Sequence, residues 1–158
     1  MKADHIHMAH NLKPAIVEKV DTSYLETLIG YNARRAALVI IDLFLKKMAV
    51  YDLKPVDFSV LSMIAHNSGI SSRQLCSALN ILPPNLVGMI NTLEKRDLIL
   101  RKPHPSDGRV ISLHLTDIGA KLMKNAEQTA QELESEAASK LSATERKTLM
   151  RLLQKIYT

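Results

Sequence analysis

The stretch from Ile70 to Leu122 constrains this chain most, because it sets two short helical patterns and one alternating pattern between clear turn residues. It begins ISSRQLCSALNILPPNLVGMINTLEKRDLILRK and continues PHPSDGRVISLHLTDIGAKL. The Ser71 hydroxyl can accept a hydrogen bond from an orphan N–H of a first helical turn, and Gln74 can reach back to complete a capping box. Leu75, Ala78 and Leu79 then share one apolar face. Asn80-Ile81-Leu82 is a short connection, and Pro83-Pro84 suits a first helical turn, where a missing N–H removes no bond. The second helix places Leu86, Met89, Ile90 and Leu93 on its buried side. Leu98, Ile99 and Leu100 lead into Arg101-Lys102, and Val110 to Leu115 returns with alternating residues. The segment from Pro103 to Arg109 is dense in turn residues and predicts the bend of a two-stranded hairpin.

Helix, turn, helix and a β-ribbon with a basic tip make a winged helix-turn-helix, a shape suited to double-stranded DNA. Charge agrees with an anionic partner: Lys plus Arg exceed Asp plus Glu by 21 to 16, a net +5. An apolar content of 46% over 158 residues excludes a disordered chain and allows one domain with a core. Cys76 is the single cysteine, so no intrachain disulfide forms and a reducing cytoplasm fits. It reads as a small core residue rather than a redox sensor. The longest apolar run, Ala36 to Ile41, is too short to span a bilayer, and MKADHIHMAH holds no apolar signal core. No Ser-His-Asp set, metal-ligand spacing or phosphate-cradling glycine loop appears, so the expectation is a protein without enzymatic activity or cofactor. His5, His7 and His10 read as part of an N-terminal arm rather than a metal site.

The flanks are helical. Ser23-x-x-Glu26 predicts a capping box opening one long helix to about Tyr51. Its segment Ala36 to Leu45 is apolar on most sides and needs burial on most sides, which a second subunit supplies economically. Lys54-Pro55 starts another helix with Phe58, Leu61, Met63, Ile64 and Ala65 mostly in the core, and Asn67-Ser68-Gly69 ends it. Thr116 caps a long helix whose apolar positions are Leu122, Met123, Ala126, Ala130 and Leu133. Ser142-x-x-Glu145 marks a further capping box before Leu149, Leu152, Leu153 and Ile156.

The central run resembles the DNA-binding half of the MarR (multiple antibiotic resistance regulator) family. The matching residues are Leu75 with Leu79, Leu93-Glu94-Lys95, Leu98-Ile99-Leu100-Arg101, Asp107-Gly108-Arg109 and Leu115-Thr116-Asp117-Ile118-Gly119. The resemblance implies a mainly α fold with a small β-hairpin wing, a winged helix-turn-helix flanked by dimerising terminal helices. Residues 1–158 then form a single domain of this type. Within it, 54–115 is the DNA-binding module, and 21–53 with 116–158 is the helical dimerisation region. The implied function is a homodimeric transcription regulator, a repressor released by a small aromatic or anionic effector, on a pseudo-palindromic double-stranded operator. The alternative is a winged-helix module that binds protein rather than DNA.

Residue by residue, the second helix should enter the major groove with Pro84, Asn85, Val87, Gly88 and Asn91 near the bases. Asn85 and Asn91 carry paired donor and acceptor groups suited to adenine, although Asn85 can instead cap its helix. Gly88 departs from the larger residue usual in the family; it either permits close approach or makes a weak base contact. The resemblance places Arg109 in the minor groove, with Asp107 steadying the wing and Lys102 and His104 on the same ribbon. Arg73, Lys95 and Arg96 are candidate phosphate contacts or solvated surface charges. Relatives bind anionic aromatic molecules in a cleft beside the winged module. Tyr31, Arg34, Arg35, Phe44, Phe58 and Arg101 are the candidates to line it, or else interface and surface residues.

Overall fold

The computed structural model describes residues 19–104 and 107–158, and the side chains of all of these except 107–109. The histidines of the N-terminal arm and the wing-tip side chains of Asp107 and Arg109 therefore lie outside the described residues. The described chain falls into two units, one ending at Arg35 and one running from Ala36 to Thr158.

In the first unit the expected single long helix is broken. A short helix α1 spans Ser23–Glu26 and a second, α2, spans Ile29–Met48. Ser23 is not the cap: Thr22 precedes α1, and its hydroxyl bonds the Glu26 carboxylate at 2.6 Å. The break is stabilised by Asn32, whose Nδ2 donates to the carbonyls of Glu26 and Leu28, both at 2.8 Å. The Glu26 carbonyl ends α1, and the Leu28 carbonyl, which also accepts from Asn32 N at 3.1 Å, opens α2, so one side chain joins the two helix ends. A single 3-10 turn, Ala49–Tyr51, follows α2 and ends at Asp52 in the left-handed region.

The second unit continues with α3 (Pro55–His66), the short strand β1 (Ile70–Ser71), α4 (Ser72–Leu79) and α5 (Pro83–Lys95). Strands β2 (Ile99–His104) and β3 (Asp107–Leu115) and helices α6 (Asp117–Ala137) and α7 (Ala143–Tyr157) complete it. The wing is a three-stranded antiparallel sheet, in the order β1-β3-β2, rather than a two-stranded hairpin. β1 pairs Ile70 with Leu113 and Ser71 with Ser112. The hairpin strands also run further than the turn residues suggested, with Pro103 opposite Ile111. Pro103 is tolerated because β2 is an edge strand, where a missing N–H breaks no ladder on its outer side.

Three caps follow the sequence. Ser71 Oγ accepts from Gln74 N, and the Gln74 side chain accepts from Ser71 N. Ser142 and Glu145 repeat the arrangement at α7. Thr116 Oγ1 accepts from Gly119 N at 2.9 Å and donates to Asp97 O at 2.6 Å, so one hydroxyl joins the start of α6 to the end of the α5 turn. A Cβ at Gly119 would sit 1.9 Å from Leu98 O, so only glycine lets α6 approach the bend before β2 this closely.

One core holds the second unit together. It buries Met48, Val60, Leu61, Ile64, Leu75, Leu86, Ile90, Leu93, Leu98, Ile99, Leu113, Met123, Ala126 and Leu133. Cys76 is half-buried against it as a free thiol. Among the described residues, no helix is long and apolar enough to cross a membrane.

Candidate nucleic-acid interface

Helix α4 reaches α5 through a turn in which Asn80 takes a left-handed conformation, φ 51°. Asparagine tolerates that region better than most residues. The N–H groups of Asn80 and Ile81 both return to Cys76 O, closing the end of α4. Leu82 then starts α5 with its carbonyl accepting from Asn85 N and Leu86 N. The turn fixes which side of α5 is free: Leu86, Ile90 and Leu93 are buried, and Pro84, Gly88, Asn91 and Lys95 lie opposite them, all exposed. Val87 is 54% exposed and Leu82 69%, so apolar surface faces outward near the start of the helix. A Cβ at Gly88 would meet nothing within 4 Å, so the packing does not demand glycine there. Asn85 is exposed, and its side chain makes no hydrogen bond among the described residues; Leu82, not Asn85, holds the cap position.

The wing is tied to this helix and to α3. The Arg101 guanidinium on β2 donates to Asn91 Oδ1 and lies 3.3 Å from Glu94 Oε2, both on α5. At the base of the wing the Ser112 hydroxyl is buried and donates to Lys102 O at 2.9 Å. Its proton is thus used, so at 3.0 Å it accepts from His114 Nε2. His114 Nδ1 is 2.9 Å from the Ser68 hydroxyl beyond α3, and in the neutral ring it accepts from that hydroxyl. One imidazole therefore bridges the turn after α3 to the central strand.

The remaining candidates are dispersed. Arg73 on α4 is exposed. Lys102 is exposed and His104 half-buried on β2. The Arg96 guanidinium donates to Asp52 O at 2.8 Å and Tyr51 O at 2.9 Å, clasping the end of the 3-10 turn. Phe44 and Phe58 meet edge to face with ring centroids 5.7 Å apart. Both line a cavity of about 960 Å3 between α2, α3, α6 and α7, walled also by Ile40, Leu133, Leu149 and Leu153. The cation on its wall is Arg146, which the sequence did not single out; it bonds Ser135 from the first turn of α7. Arg101 is engaged at α5 and does not line that cavity. Tyr31, half-buried, and the exposed Arg34 and Arg35 belong to the N-terminal unit.

A helix-turn-helix with a sheet hinged beside its second helix defines the winged helix-turn-helix class. The MarR family model matches residues 53–111. Over 152 residues the chain is 30% identical to the "Putative transcriptional regulatory protein for hcr operon" of Thauera aromatica, covering 94% of this chain and 91% of that protein. The transcriptional repressor CouR bound to a 23-mer DNA duplex is similar with a TM-score of 0.83 and 33% identity, over 89% of this chain and 99% of CouR. CouR bound to p-coumaroyl-CoA gives 0.76 and 32%, over 87% and 97%. The chain belongs to the MarR family of transcriptional regulators.

Proposed function

We propose that this regulator acts in the cytoplasm as a homodimeric repressor on a pseudo-palindromic operator and is released by an aromatic acyl thioester or a related anion. The observation that carries the DNA reading is the outward row of α5. Pro84, Gly88, Asn91 and Lys95 stand opposite the buried face, with Asn85 and Val87 beside them near its start. A helix docked by its N-terminal half in the major groove presents such a row to base edges. Arg73, Lys95 and Lys102 supply backbone attraction, and Arg109, with Asp107 and His104 on the same ribbon, takes the minor groove. The duplex-bound form of the similar CouR supports this assignment.

The module 54–115 carries DNA binding, and the helical parts of 21–53 and 116–158 carry dimerisation. Two-fold symmetry then sets half-sites about 10 base pairs apart. The effector reading rests on the cavity with Phe44 and Phe58 inside and Arg146 on its wall. An aromatic acyl group suits the first two and a phosphate or carboxylate the third. CouR bound to p-coumaroyl-CoA supports the thioester class.

Titration of a genomic duplex selected by the protein tests the whole reading. Arg109→Ala removes a charge, so binding to selected and random duplex should fall alike and the salt slope should flatten by roughly one. Asn85→Ala removes base-edge hydrogen bonds only, costing about 1–3 kcal/mol on the selected site and little on random DNA. An aromatic acyl-CoA thioester should release the wild-type complex where free coenzyme A does not. Binding that ignores salt, or an Asn85→Ala loss equal on both duplexes, overturns the corresponding assignment.

A further inference from the structure

The start of α5 faces outward with side chains that can make no hydrogen bond. Leu82 at the cap position, Pro84 and Val87 are exposed, and their side chains are hydrocarbon. Gly88 beside them has no side chain, and a Cβ there would meet nothing within 4 Å. Pro84 and Val87 are three residues apart, so they are neighbours on the helix surface. A helical valine has one strongly preferred rotamer, so its two methyl groups keep one position without a hydrogen bond to hold them. Thr92, one turn on from Gly88, turns its hydroxyl back into the helix and donates to Gly88 O at 3.0 Å. Lys95 lies further along the same row and is exposed, so the apolar patch sits on a face that also attracts an anion.

Base edges in the major groove present hydrogen-bonding atoms, and only thymine adds an apolar group, its C5-methyl. A valine pressed against a polar edge strips water from a donor or acceptor and returns no hydrogen bond. Against the thymine methyl it buries hydrocarbon on both sides instead. We infer that Val87 is a specificity-determining residue that reads the methyl group of a thymine, with Pro84 against its flank. The bare Gly88 lets the helix come close enough for so short a side chain to touch a base. This rests on the DNA-binding reading above, and it gives a use to a glycine that the packing does not demand.

Titration of the full-length protein with its selected duplex, and with the same duplex carrying deoxyuridine in place of each thymine in turn, tests it. The replacement keeps the base pair and removes only the methyl group. One thymine in a half-site should be sensitive, with affinity falling about fourfold, the equivalent of leaving one methyl group unburied. Val87→Ala changes an exposed position to a good helix former, so the fold is untouched. It should bind the thymine duplex several-fold more weakly than the wild type, and its own ratio between thymine and uracil should fall toward one. A cytosine placed at the sensitive position should bind worse than thymine. Its 5-methyl form should regain about fourfold with the wild type and nothing with Val87→Ala. A Val87 that only supported the helix would lower binding to both duplexes alike and keep the thymine-to-uracil ratio. That result, or no thymine whose replacement matters, overturns the inference while DNA binding stands. If the wild type binds no duplex at all, the DNA-binding reading itself falls and takes this inference with it.

Discussion

The winged module and the terminal helices are both rich in apolar residues, yet only the module hides them. Val60, Leu61, Ile64, Leu75, Leu86, Ile90, Leu93, Ile99 and Leu113 are buried within one chain. Helix α7 carries Leu149, Met150, Leu152, Leu153 and Ile156 and buries none of its residues. From Ala36 onward α2 buries Phe44 and Met48, while Leu38, Val39, Ile41 and Leu45 stay exposed. Contiguous apolar surface of this kind marks an interaction site. The module is a unit that one chain completes. The helices leave apolar surface that one chain does not cover, and in the proposed homodimer a second copy of the same two helices covers it.

That contrast breaks most visibly at α7. Leu152 and Ile156 lie one turn apart, 47% and 65% exposed, and neither lines the Phe44 cavity. Leu152→Glu with Ile156→Glu should cut the mass in light scattering from about twice 17.6 kDa to that of one chain. Losing the link between two half-site contacts should weaken operator binding on the order of a hundredfold or more. The winged module should stay folded, since neither side chain belongs to its core. A wild type that scatters as one chain, or a double variant that keeps the doubled mass, removes the second copy from the argument.

The opposite outcome is expected at Gly119, where α6 meets the wing. The Cβ of Gly119→Ala would fall 1.9 Å from the Leu98 carbonyl oxygen, a backbone atom that cannot rotate away. Overpacking that forces a backbone shift costs about 1–3 kcal/mol, and so short a contact puts this loss near the upper end. Denaturant unfolding should show that loss in the transition of the module itself, and the loss should not depend on protein concentration. A change below about 1 kcal/mol would mean that α6 shifts freely away from the Leu98 backbone.

Local features were legible in the sequence, and non-local ones were not. Ser71, Thr116 and Ser142 cap helices as their spacing indicates, because a cap is made by residues three apart. Leu86, Ile90 and Leu93 are buried for the same reason, helical period. β1 was missed because two residues carry no alternation; Ile70 and Ser71 become a strand only through Leu113 and Ser112. The break before Ile29 was missed because Asn32, not a proline, closes the first helix from a distance. At the site the outward row of α5 was readable, but the bond that Asn91 accepts from Arg101 was not. Its partner Arg101 comes from another element, and residue type alone does not show which end of an amide is taken. Arg96 carried no hint that it would clasp the carbonyls of Tyr51 and Asp52.

The smallest expected effect lies in the one part of α7 that is complete without a partner. Its face is unburied, but its first turn is closed: Ser142 N–H and Ser142 hydroxyl both reach the Glu145 carboxylate at 2.8 Å. The backbone N–H first, and the hydroxyl second, hold the Glu145 carboxyl below the usual range. A carboxylate with a depressed folded value favours the folded helix above its unfolded value, about 4.3, and the benefit fades as pH falls through the lower folded value. Glu145→Gln keeps an acceptor for the Ser142 N–H but has no proton to take up. Near neutral pH the wild type should melt higher, by about a degree given how exposed the pair is. The two melting curves should converge as pH drops below the carboxylate range. A gap that persists unchanged at low pH would mean that the charge of Glu145 contributes nothing and that the cap works by hydrogen-bond geometry alone.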